Sequence, residues 1–534
     1  MRSDIWTPLL VAALAAGCAQ VGDITGGAKD EEPPKLVAAE PPHLSTRFTG
    51  RRIALHFDER ITLDRVRDRL LVSPPLDVWP NVRVSGPRSV TIDLNAPLRT
   101  GTTYIFGIGE AVKDLSEGNV AGGLAYVVST GDVVDSLVVA GRVVDAFTGA
   151  GRKEVLVLLH DEADTSTVRT ARPTYATRTD AEGRFLLRHL RAGSYRLHAL
   201  QDMNGNYRYD LPNEEIAFLG PPIAVDPLDT LPEFHLLRMF REAGPVQLVR
   251  ESKVLADGAL RLILARPAEE LRVRDVARTG GQLTWRPEWS RGRDTVLLWP
   301  SDTTLLGEGR YAVSIDGQDL DTLRYRRVEK MPFNPDLQAI VREDDEGVLV
   351  RLHATRPIAA FDRARFLVER DSLPLPFDLY QDSTDVRTMV LRVSLPLGAS
   401  AALTVLPKGI RDIYGGHNDT LRTGLGRAAE GGTGNLRVRL DTPEGAAGPF
   451  MLQLLDAQGR TVREQRIARG GGPVGWERIS PGNHGLRLIA DDNGNGRWDT
   501  GVLDEAIQPE RVWQHGTAIN VRAGWDLTID WKLE

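Results

Sequence analysis

The feature that most constrains this chain is the recurrence of short runs in which every second residue is apolar, as in Arg52-Ile53-Ala54-Leu55-His56-Phe57 and Ser89-Val90-Thr91-Ile92-Asp93-Leu94. Side chains alternate across a strand, so a period of two marks a strand with one face on a core. Pro-Pro, Gly-Pro and Gly-Asn turn signals separate the runs at the spacing of an all-β sandwich. With 534 residues, 41% of them apolar, the chain has enough to bury for roughly three to five domains of about 100 to 200 residues. Lys and Arg number 66 against 73 Asp and Glu, a net charge of −7. No excess of cations exists to displace the counterions around phosphates, which rules out a nucleic-acid binder driven by net positive charge.

A single cysteine, Cys18, excludes any internal disulfide. It follows Arg2 and a mostly apolar run from Leu9 to Ala16, a short signal-peptide core ending in small residues. The tetrapeptide Ala15-Ala16-Gly17-Cys18, preceded by Leu14, resembles the lipobox of bacterial lipoproteins. That resemblance implies a signal peptide over 1–17, a lipidated Cys18 as first residue of the mature chain, and attachment to a membrane through acyl chains. The alternative is an ordinary secretory signal with an incidental cysteine. Residues 18–34, rich in Gly, Asp, Glu, Lys and Pro, read as a solvated tether. A second reading of their acidic run is an address that sorts the protein to the outer face of the outer membrane. No other stretch reaches the roughly 18 consecutive apolar residues of a spanning helix.

Residues 35–131 carry Glu40-Pro41-Pro42, Leu55-His56-Phe57-Asp58-Glu59, Leu70-Leu71-Val72-Ser73-Pro74-Pro75, Gly101-Thr102-Thr103-Tyr104-Ile105, Val112-Lys113-Asp114 with Gly118-Asn119, and Val128-Ser129-Thr130-Gly131. In order and spacing these pieces resemble the bacterial immunoglobulin-like domain first described in S-layer proteins. In 136–235, Val139 to Asp145, Thr179-Asp180-Ala181-Glu182-Gly183-Arg184-Phe185 and Gly193-Ser194-Tyr195 resemble the transthyretin-like or carboxypeptidase-regulatory-like sandwich. That resemblance implies a passive spacer or folding aid without an active site.

An internal repeat links two distant segments. Asp202-Met203-Asn204-Gly205-Asn206-Tyr207-Arg208-Tyr209-Asp210 matches Asp491-Asp492-Asn493-Gly494-Asn495-Gly496-Arg497-Trp498-Asp499, each copy following an alternating strand. Residues 434–534 are therefore expected to form a sandwich related to 136–235. Asp412-Ile413-Tyr414-Gly415-Gly416-His417-Asn418 is similar to Asp114-Leu115-Ser116-Glu117-Gly118-Asn119, which places another immunoglobulin-like copy at 334–426, and 236–330 alternates like a degenerate one. The expected fold is thus all-β, a tandem of immunoglobulin-like and transthyretin-like β-sandwiches. As a whole the chain resembles multidomain lipoproteins with immunoglobulin-like domains, a type common in Bacteroidetes-like bacteria.

Chemistry is confined to the repeated loop. Asp202, Asn204, Asn206 and Asp210, and again Asp491, Asn493, Asn495 and Asp499, place oxygen donors at alternate positions around a Gly-containing turn, the spacing by which a loop wraps Ca²⁺. An EF-hand would have Glu at its twelfth position, where Asn213 and Val502 stand. The competing reading has Asp and Asn side chains capping their own backbone. Catalytic signatures are missing: no His-Glu-x-x-His helix, no Gly-x-Ser-x-Gly elbow, no phosphate loop. Acidic pairs such as Asp58-Glu59 and Glu214-Glu215 read as a solvated face, and His56 as a strand residue. The expectation is a non-enzymatic, outer-membrane lipoprotein, periplasmic or cell-surface, whose sandwiches act as a scaffold or contact other envelope proteins. The alternative is a carbohydrate binder, in which Trp79, Trp285, Trp289, Trp299, Trp476, Trp513, Trp525 and Trp531 supply a stacking platform, provided three of them share one exposed face.

Overall fold

The computed structural model describes residues 30–533 except 164–166, 228–232, 244–246, 277–284, 291, 301–308, 326–333, 345, 430, 442–447 and 469–473. Cys18, the signal peptide expected at 1–17 and most of the tether expected at 18–34 lie outside the described residues. Strands account for nearly all of the regular structure, and the architecture is a tandem of β-sandwiches. No described helix is long and apolar enough to cross a membrane.

The alternating runs form strands as their period dictates. Arg52–Phe57 buries Ile53, Leu55 and Phe57 and turns Ala54 and His56 away from the core, His56 meeting Ser89 Oγ at 2.9 Å. It pairs antiparallel with Leu36–Glu40 and Ser89–Asp93, and the facing sheet joins Leu71–Ser73, Thr103–Gly107 and Ala125–Ser129. Ile53, Leu55, Val90, Ile92, Tyr104, Phe106 and Tyr126 fill the space between the sheets. The Asp114 carboxylate closes the next turn by accepting N–H bonds from Ser116, Glu117, Gly118 and Asn119. Asp412 does the same for Tyr414 and Gly416, also after a short strand, Ile410–Asp412. There the carboxylate gains a buried partner, Arg356, at 2.9 Å.

The sandwiches that contain the repeated loop share one topology. In the earlier copy Leu137–Asp145 is central, antiparallel to Arg184–Leu190 and parallel to Phe234–Met239. In the later copy Gly434–Asp441 is central, antiparallel to Val474–Ile479 and parallel to Asp526–Lys532. The parallel pairing brings backbones so close that a side chain at Gly141 would collide with the main-chain oxygen of His235. Phe234–Met239 runs across the boundary expected at 235, because its register with Ala140–Asp145 needs every residue to Met239. The opposite sheets also correspond: Tyr175–Arg178, Leu156–Asp161, Gly193–Gln201, Glu215–Phe218 and Ile223–Val225 in one copy, and Thr461–Ile467, Phe450–Leu455, Gly482–Ala490, Val512–Gln514 and Ile519–Val521 in the other.

Leu156–Asp161 belongs to a sheet that is covered twice. Val157, Leu159, Leu197 and Ala199 face the interior of their own sandwich. Leu158, Leu200, Ile216 and Phe218 face a second cluster that also takes in Val168, Tyr209, Phe240, Leu71 of the first sandwich, and Trp498 and Leu503 of the last. Neighbouring sandwiches touch elsewhere too. The Ala176 N–H donates to Ser73 Oγ at 3.0 Å, and Glu288, which also receives Trp299 Nε1 from its own sheet at 2.9 Å, accepts Arg387 Nη2 of the following sandwich at 2.5 Å.

Candidate functional site

Both repeated loops begin where a long strand ends, Gly193–Gln201 in one case and Gly482–Ala490 in the other. In the first loop the Asp202 carboxylate faces its own backbone. Oδ1 accepts N–H bonds from Asn204, Gly205 and Asn206 at 3.2, 2.7 and 3.3 Å, and Oδ2 accepts that of Tyr207 at 2.8 Å. Asn204 and Asn206 each donate from Nδ2 to Asp210, at 3.0 and 2.7 Å, so the four side chains singled out by spacing do meet. Beneath them lies Glu214, 0% exposed, which accepts the N–H groups of Met203, Asp210 and Leu211, all at 3.0 Å. This corrects the reading of Glu214 as part of a solvated face.

The second loop repeats the plan with one difference. Asp491, 3% exposed, uses Oδ2 to accept the Gly496 N–H at 3.0 Å, while its buried Oδ1 has no hydrogen-bond partner. Asn493 and Asn495 donate to Asp499 Oδ2 at 2.6 and 2.5 Å, and Arg497 Nε reaches Asp499 Oδ1 at 3.3 Å. Glu510 takes the place of Glu214: it is 8% exposed and accepts the N–H groups of Asp492 and Asp499 at 2.9 Å each. Burial pushes its carboxyl up to about 7; repulsion from Asp499 and Asp491 adds to the shift, and the two N–H bonds oppose it. Spacing did not reveal either glutamate, because they stand at different distances from their aspartates. Glycine at 496 suits the positive φ of 78° that Tyr207 has to adopt, at 63°, in the first copy.

The loops also carry anchors. Trp498 donates from Nε1 to the Glu510 carbonyl at 2.8 Å and meets Phe147 edge-on at 5.4 Å. Arg169 bridges Glu242 and Asp504 at 2.8 and 2.9 Å, the Thr500 hydroxyl donates to the Arg241 carbonyl, and Gln508 donates to the carbonyl of Phe218. The segment after the second loop thus docks on the outer sheet of the second sandwich.

The tryptophans do not assemble. Trp299, Trp476 and Trp531 are buried, and Trp79, Trp285, Trp289 and Trp513 are half-buried against three different cores. Trp525 is the one exposed ring among those candidates, so no three share an exposed face. Among the described residues no three His, Cys, Asp or Glu side chains form a ready-made metal cluster, which leaves amide oxygens as necessary members of any cation site.

Residues 30–130 match the family model described as a bacterial Ig-like domain. That match coincides with the first sandwich and with the segment whose motifs resembled such a domain. No curated protein matches the chain. Among solved structures, the S-layer protein rSbsC aligns at 11% identity over 91% of this chain and 67% of its own, with a TM-score of 0.15. The major pilin subunit BcpA of Bacillus cereus, in its D312A form, aligns at 12% identity over 75% of this chain and 99% of its own, with a TM-score of 0.14. A biofilm-associated protein's BSP domain aligns at 8% identity over 86% and 93%, with a TM-score of 0.15. Scores this low carry no functional argument, and the fold rests on the sheets themselves.

Proposed function

We propose that this chain is a non-enzymatic component of the bacterial cell envelope, tethered to the outer membrane through a lipid on Cys18, whose sandwiches hold a defined spatial arrangement for contacts with other envelope proteins. The observation that carries the reading is that the sandwiches are bolted together by packed side chains: Leu71, Trp498 and Leu503, from the first and last sandwiches, enter one cluster on the second. A string built for flexible reach has no need of such contacts, whereas a scaffold that presents surfaces at fixed positions depends on them. The bacterial Ig-like match at 30–130 agrees with an envelope location. Carbohydrate binding through an aromatic platform loses its support with the scattered tryptophans.

Metabolic labelling with a fatty-acid analogue, comparing the wild type with Cys18→Ser, tests the anchor; surface proteolysis of intact cells then reads the leaflet. Label that depends on Cys18 is the expected result. An unlabelled, freely secreted chain would overturn the anchored scaffold.

A further inference from the structure

We infer that the loop Asp491–Asp499 binds Ca²⁺, and that its twin Asp202–Asp210 is a turn that needs no cation. The two loops share sequence spacing, so the distinction comes from where the first aspartate's oxygens go. In the twin, the N–H groups of Asn204, Gly205, Asn206 and Tyr207 converge on Asp202, three on Oδ1 and one on Oδ2. In the second loop the Gly494 N–H goes to the Asp491 main-chain oxygen instead, Gly496 takes Oδ2, and Oδ1 is left buried with no partner. A carboxylate oxygen shut away from water without a donor is unfavourable, and a hard cation is the partner that compensates best.

The remaining donors are already gathered. Asn493 and Asn495 both donate from Nδ2 to Asp499 Oδ2, so the side chains at the third, fifth and ninth positions of the loop meet, while the carboxylate at the first is held to the same turn by the Gly496 N–H. Each amide oxygen accepts a single N–H, from Asn495 and from Arg497, and keeps a second lone pair. Two carboxylates, two amide oxygens and solvent make an all-oxygen set of the kind Ca²⁺ takes, and not one that suits zinc. With half the ligands neutral, the dissociation constant is expected to be on the order of 10⁻⁴ M, as in extracellular modules.

Trp498 lies inside the loop, which makes Tb³⁺ the natural probe for the full chain. Excitation of tryptophan should give sensitised, saturable Tb³⁺ emission that Ca²⁺ displaces, and titration calorimetry with Ca²⁺ should find one site. Asp491→Asn and Asp499→Asn should each weaken Ca²⁺ binding by about tenfold or more; Asp202→Asn should leave it unchanged, and Trp498→Phe should remove the emission while preserving calorimetric binding. Wild-type protein that shows no saturable Ca²⁺ binding at millimolar concentration overturns the inference. So does equal weakening by Asp202→Asn and Asp491→Asn, which would make both loops cation sites. Neither result bears on the lipid anchor or the scaffold reading.

Discussion

At the scale of single residues, the buried charges and rings make opposite demands on pH. His198 packs edge-on against His160 at 5.2 Å, and burial, reinforced by His160, lowers its pKa to about 3. The folded protein holds this ring neutral while the unfolded chain protonates it near 6.5, so its contribution is complete above that pH and is lost as pH falls toward 3. His198→Leu should flatten the acid limb of stability, measured as denaturant midpoints between pH 7 and 4, by up to about 1.4 kcal/mol per unit. Glu510 has the opposite sign. Its carboxyl is raised to about 7, so stability declines as pH rises from about 4.5 through 7, and Glu510→Gln should remove that slope. An unchanged profile in either variant would mean that the group titrates alike in folded and unfolded chains. The pair Arg356–Asp412, 2% and 0% exposed at the side chains, is a third case. Arg356→Met strands a buried carboxylate and should cost about 3 to 5 kcal/mol in denaturation, with much of the loss recovered in Arg356→Met/Asp412→Asn.

Elements were legible in the sequence to the extent that their surroundings were local. Arg52–Phe57 and Ser89–Asp93 announced themselves because one face meets the core and the other meets water. The run Val155-Leu156-Val157-Leu158-Leu159 has no alternation, since its outer face is covered by residues as remote as Phe240 and Leu503, and no local pattern encodes that cover. The same limit applied to the loops. Asp202, Asn204, Asn206 and Asp210 were visible as a spaced repeat, whereas Glu214 and Glu510 took their places through folding and not through register. If the outer cover matters as the packing indicates, Leu158→Ala should destabilise the second sandwich by about 2 to 5 kcal/mol, as an interior leucine does. Leu186, part-exposed on Arg184–Leu190, should tolerate alanine within about 0.5 kcal/mol. Similar losses at both sites would show that the outer face is not a core.

For the whole molecule, the consequential contact is the return of the last sandwich to the second. Chain connectivity alone does not require it, since two further sandwiches lie between them in sequence. What holds it is mixed: Leu503 and Trp498 in the apolar cluster, the Leu503 N–H on Glu242, and Arg169 shared by Glu242 and Asp504. The pair with exposed Asp504 contributes little and weakens in salt, whereas the pair with the largely buried Glu242 is screened less and the apolar part is unaffected, so docking should survive high ionic strength. A charge placed in the cluster acts differently. Leu503→Asp sets a carboxylate against the cluster that holds Phe218, Phe240 and Trp498, beside the like charge of Glu242, where apolar contact is lost and solvation is incomplete. Small-angle scattering should then show a larger radius of gyration than for the wild type, and Trp498 emission should shift to the red. Far-ultraviolet circular dichroism should stay the same, because each sandwich keeps its own core. Unchanged scattering would place the rigidity of the molecule in its sequential contacts, and the return of the last sandwich would no longer be what fixes the arrangement.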